Sequence, residues 1–391
     1  MKINHIKKMT KAIAALALFA STSVVQAQDD MLAALAIEKT AGYEQETISS
    51  QIQQTHGEPI SILTSIRPIA LLVDAVIPQE YKSAWNVQVL VPPQSSVHDY
   101  QLKPSDVVKM KSAQKMFWLG KGAEPSFAKS VERFSINDAP FTSAHLHWLL
   151  VQGDEMELDH HGHNHEPGSL DPHIWLSLPD APKMLTYIAN QLEQTLADTS
   201  LLKQKGWSDA QIKAQKAGIK KGLKLALAEQ QRLMKSIESL KKSSWSYTKY
   251  ISFHNAFAYL DDAFQVESLG SFVQNPEDGI APRQLQKLQQ VVEDEEVGCL
   301  FVEPSADGRR ITSLLPDHFK VVDLDILAIS LPQGVDWSGY WEYVTEQLQI
   351  CFSSPAIDES MLLDGDSTAV EEEARPQERE ERILDKLKFF K

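Results

Sequence analysis

Two cysteines in 391 residues exclude a disulfide-dense miniature fold and argue against a thiolate metal cluster. No apolar stretch is long enough to span a bilayer without meeting charges. Basic residues are in the minority, 38 against 53 acidic ones, and the resulting net charge of -15 disfavours nucleic acid and anionic lipid as partners. Neither an HExxH helix nor a GxSxG turn occurs, which removes two short signatures of hydrolytic chemistry. What remains is an acidic chain, 43% hydrophobic, long enough for two ordinary domains with full cores. Such a surface suits a cationic ligand.

The N-terminus carries Lys2, Lys7, Lys8 and Lys11, the apolar run Ala12 to Ala20, and Val25-Gln26-Ala27 before Asp29. That order reads as a secretory signal cleaved after Ala27. The absence of a cysteine there removes a lipid anchor, so a soluble protein of an oxidising compartment, the Gram-negative periplasm, is expected. In that setting Cys299 and Cys351 read as a disulfide. It would close a loop of about fifty residues, worth about 4 kcal/mol in a chain-entropy treatment.

Along the chain, residues 28–58 read as a polar leader. Strand and helix then alternate: strands at 60–65, 87–91 and 115–119, with helices from Ile69 and from Pro104-Ser105-Asp106. This alternation implies parallel βα units. A helical segment follows at 179–196, then an interruption bearing Trp and Gly at about 205–222. A long helix of about 40 Å from Ala214 to Leu240 comes next. The alternation resumes with strands at 250–253, 299–302 and 321–324 and helices at 256–264, 284–292 and 341–351. The expected architecture is α/β: two α/β lobes joined by a long rigid helix, with a metal site in the interlobe cleft. The expected division is a 59–200 lobe carrying a His-rich loop at 154–170, a 201–242 linking region, a 243–353 lobe and an acidic solvated tail at 354–391.

The histidines fall into two groups. His160, His161, His163 and His165 crowd a polar, Gly-containing run, DHHGHNHEPG, and read as a loop offering imidazoles to a borderline-soft cation. His98, His173 and His254 each sit where a packed element begins or ends, as ligands do at the carboxyl ends of strands in open α/β sheets. Three imidazoles and one oxygen would complete a tetrahedron around Zn2+. The oxygen candidates are Glu303, ending CLFVE, and Asp323 or Asp325 in VVDLD.

The segments PPQSSVHDYQLKPSD, DPHIWLS, FHNAFAYL and CLFVEPS, in that order, resemble the periplasmic zinc-binding proteins of zinc ABC importers, the cluster A-I solute-binding family. The resemblance runs from about Ile60 to Phe352. It implies that His98, His173 and His254 are metal ligands and that Asp325 is a candidate fourth ligand. It also implies that Cys299 pairs with Cys351; Glu303 matches a family motif residue and is read as supporting the site or as structural. Val97 stands where some zinc members carry a glutamate, which leaves the fourth position to Asp325 or water. The implied function is high-affinity Zn2+ capture and delivery to an ABC-type membrane permease by a monomer that is not an enzyme. Imidazole ligands must be deprotonated, so affinity should weaken as pH falls through the histidine range. The rivals are a manganese or iron carrier of the same fold and a secreted zinc hydrolase.

Overall fold

The computed structural model describes residues 57–93, 95, 100–150, 170–273, 279–294, 296–304 and 319–353. The signal segment, nearly all of the polar leader, the four-histidine loop, His98 and the acidic tail lie outside these residues.

The first lobe is built on a four-stranded sheet of β1 (Ile60–Thr64), β2 (Trp85–Val89), β3 (Lys115–Trp118) and β4 (Asp138–Pro140), ordered β2-β1-β3-β4. All its pairings are parallel. Parallel strands are covered on both faces. Accordingly, β1 and β3 are almost wholly buried, and α1 (Arg67–Val76) buries seven of its ten residues. The lobe also holds α2 (Pro104–Ser112), α3 (Pro125–Phe134), α4 (Ala181–Thr195) and the short α5 (Thr199–Gln204). Proline stands in the first turn of α1 to α4, where its missing N–H costs no helical bond.

The second lobe repeats the plan. Strands β5 (Lys249–His254), β6 (Glu267–Val273), β7 (Val297–Val302) and β8 (Val321–Asp323) form a second parallel sheet, ordered β6-β5-β7-β8. With it go α7 (Ala258–Phe264), α8 (Pro282–Asp294) and α9 (Trp337–Phe352). Cys299 on β7 and Cys351 on α9 form the expected disulfide, their Cα atoms 5.1 Å apart.

Between the lobes runs α6, Asp209–Ser244, 36 residues and so about 54 Å long. It packs against α1 and α4 of the first lobe and against α9 of the second. It starts earlier than the sequence reading allowed, and the expected interruption shrinks to residues 205–208. The start is set by a capping box: the Ser208 hydroxyl accepts from the Gln211 N–H, and the Gln211 side chain accepts from the Ser208 N–H at 2.8 Å. Gly218 and Gly222 lie inside the helix and serve close approach. A Cβ at Gly218 would come within 2.7 Å of the Tyr81 ring, and one at Gly222 within 2.6 Å of the Val76 carbonyl carbon.

A second tie joins the lobes at Arg67, the first residue of α1. Its guanidinium donates to the carbonyls of Leu331 and Pro332, each at 3.1 Å, and to that of Ala328. Among the described residues no helix is long and apolar enough to cross a membrane.

Candidate metal centre

Strand geometry delivers His254. It closes β5, and the parallel register pairs Ser252 with Phe301 of β7. Two residues further along both strands, His254 meets Glu303, and its Nδ1 lies 2.6 Å from the carboxylate. Both side chains are buried.

His173 is delivered by a turn. Pro172 fixes one backbone angle ahead of it, and His173 opens the 3-10 turn Ile174–Leu176. Asp171 Oδ1 accepts from the His173 backbone N–H at 2.9 Å and meets its Nδ1 at 2.8 Å. A carboxylate beside Nδ1 favours the tautomer with its proton on Nδ1 and its lone pair on Nε2. That is the form in which imidazole binds a metal.

The two rings come from different lobes and stand 5.1 Å apart between centroids, at 67°. With metal–nitrogen bonds near 2.0 Å, two imidazoles on one tetrahedral ion hold their centroids roughly 5 Å apart. The observed spacing matches. Trp175 backs the His173 ring at 5.3 Å, and its indole N–H donates to the Ile326 carbonyl of the second lobe at 2.9 Å.

The oxygen candidates separate by burial and partner. Glu303 is taken up by His254. Asp323 is exposed. Asp325 is 1% exposed and follows β8, whose ladder Leu324 extends with a bond to the Val302 carbonyl. Its Oδ2 accepts from both the N–H and the hydroxyl of Ser330, each at 2.6 Å. Its N–H donates to the hydroxyl of Tyr343, whose phenol burial pushes above its ordinary value. Asp325 thus staples the turn that Arg67 and Trp175 grip.

Among the described residues no three His, Cys, Asp or Glu side chains are grouped to hold a metal. Of the candidate ligands the structure brings together His173 and His254; His98 and the four loop histidines lie outside the described residues. The sequence reading passed over Asp171. Its signal was local: a carboxylate two residues before a histidine, with proline between, folds back onto that histidine.

The chain was compared with known proteins. The family profile described as zinc-uptake complex component A, periplasmic (ZnuA), matches residues 62–351. The high-affinity zinc uptake system protein ZnuA of Haemophilus ducreyi is 30% identical over 272 residues, covering 65% of this chain and 80% of that protein. Its namesake from Yersinia pestis is 27% identical over 268 residues, covering 62% and 75%. A crystal structure of ZnuA superposes with a TM-score of 0.60 at 19% identity, covering 76% of this chain and all of that one, which establishes a shared fold.

Proposed function

Because the chain belongs to the family of periplasmic zinc-uptake components, we propose that it captures Zn2+ outside the inner membrane and delivers it to the permease of an ABC-type importer. The observation that carries this reading is the buried His173–His254 pair, one ring from each lobe, each oriented by its own carboxylate. His98, His173 and His254 would supply three neutral nitrogens, a set that suits zinc better than manganese, which prefers oxygen. Asp325 is the candidate fourth ligand, but it is not grouped with His173 and His254 here, so to bind the ion its Ser330-bound carboxylate would have to turn toward them. Nothing in this assignment requires bond-making chemistry on a bound substrate, and the protein acts as a carrier.

Capture divides between lobes that α6 and Arg67 hold together. Each histidine is placed by its own sheet or turn, and the ion completes the contact between them. Release then requires local displacement of one histidine-bearing segment. His160, His161, His163 and His165 are assigned to a separate, weaker collector. The N-terminal 27 residues are assigned to a cleaved export signal.

The test is a competitive Zn2+ titration of chelator-stripped mature protein, with native mass spectrometry for stoichiometry. The parent should hold one tight zinc plus weaker binding. Deleting residues 160–165 should remove only the weaker part, and His254→Ala should abolish the tight site. A tight site that survives His254→Ala, or that vanishes with the loop, overturns the assignment.

A further inference from the structure

The turn that presents His173 contains a side chain from the opposite lobe in a place where backbone is expected. Leu150 and Leu170 form an isolated antiparallel bridge, so Leu149 and Asp171 are the neighbouring opposed pair. Such a pair ordinarily exchanges two bonds, N–H to carbonyl in each direction. One is direct, from the Asp171 N–H to the Leu149 carbonyl at 2.9 Å. The other is routed through Tyr259. Its hydroxyl accepts from the Leu149 N–H at 3.0 Å and donates to the Asp171 carbonyl at 3.1 Å.

Tyr259 sits on α7, five residues after His254, and is 2% exposed. Burial raises its phenol well above the ordinary value, so the proton needed for donation is retained. Asp171 is the residue whose carboxylate orients His173. One hydroxyl therefore joins the helix that follows one metal-site histidine to the backbone that carries the other's anchor.

We propose that Tyr259 is a positioning residue for the metal site, transmitting the seating of α7 and the His254 end of β5 to Asp171 and thereby to His173. The inference rests on the zinc-carrier reading above. Its physical basis is that the Leu149–Asp171 pair has two fully hydrogen-bonded arrangements. With the phenol inserted the pair is held open; with the phenol withdrawn, the Leu149 N–H can close directly onto the Asp171 carbonyl. An element with two satisfied states can be biased from either lobe. Binding at His254 seats α7, inserts the hydroxyl and fixes Asp171 in the position that aims His173. Withdrawal of α7 lets the pair close and loosens that aim.

The test is Tyr259→Phe, which removes the hydroxyl and keeps the ring, in the full-length mature chain. Zinc affinity is read by competition in the parent, Glu303→Gln and Asp171→Asn backgrounds. The expected loss is about tenfold in the parent and about tenfold again in Glu303→Gln, as for partners that orient metal-bound histidines, but under about twofold in Asp171→Asn, because the hydroxyl acts through Asp171. Equal losses in both backgrounds, or no loss in the parent, overturn the proposal. Survival of tight zinc in His254→Ala would instead refute the site assignment itself, so the two failures are distinguishable.

Discussion

Glu124 is wholly enclosed in the first lobe, and that enclosure has a measurable consequence. It lies at the entrance to α3, and its Oε2 accepts from the Leu119 N–H at 2.6 Å. Burial is the largest influence on its carboxyl and raises it from an ordinary 4.5 to about 7, against the smaller opposing pull of that N–H. In the folded protein the group stays protonated up to about pH 7, whereas in the unfolded chain it ionises near 4.5. Between those values the folded state binds the extra proton, so this group's contribution to stability is complete below pH 4.5 and is lost as pH rises through 7. A shift of this size corresponds to about 3 kcal/mol lost across the window. Glu124→Gln keeps an acceptor for Leu119 and removes the ionisation. Urea unfolding of metal-free protein should therefore find the variant within about 1 kcal/mol of the parent at pH 5 and about 2–3 kcal/mol more stable at pH 8. Asp261 is raised to about 7 by burial in the same way, but it is common to both proteins and cancels in the difference. A variant-minus-parent difference that is the same at pH 5 and pH 8 would refute the reasoning.

Two further outcomes follow from the geometry. Glu303→Gln keeps the shape of the partner to His254 Nδ1 but removes the charge that fixes the tautomer, so tight zinc affinity should fall about 10–100-fold with the fold intact by circular dichroism. Gly222→Ala gains up to about 1 kcal/mol of helix propensity, yet the new methyl collides with the Val76 backbone. A net loss of about 1–3 kcal/mol in urea unfolding is expected, and a neutral or stabilising result would show that α6 and α1 can separate freely.

Much of this arrangement was legible in the chain because strand ends announce themselves. YISF is an apolar run that stops at a histidine, and CLFV is one that stops at a glutamate; adjacent parallel strands ending so must place those two side chains together. The reading went astray at α6 because a glycine at a helix crossing and a glycine in a loop look alike in sequence. The capping signature Ser208 to Gln211 marks the true start of the helix. Strand β6 was passed over because Gly270, at φ +139°, interrupts a segment that is only half buried. The short β4 and the helix α3 were passed over as well, the strand being three residues long and bounded by proline. Asp171 and Tyr259 were beyond reach for a different reason. Their roles depend on which backbone groups two distant segments leave for each other, and sequence periodicity carries no record of that.

The disulfide has a consequence for biosynthesis. Cys351 follows every described strand of both sheets. In chain order Cys299 lies in β7, after six of the eight described strands, and the second thiol comes only after the last of them. With no other cysteine in the sequence, intramolecular scrambling has no alternative product. The bond can therefore form only once every described strand is in the chain, and it ties β7 to α9 within the second lobe. Reduction of the bond would release this tie in the lobe that presents His254 and leave the first lobe without any covalent change.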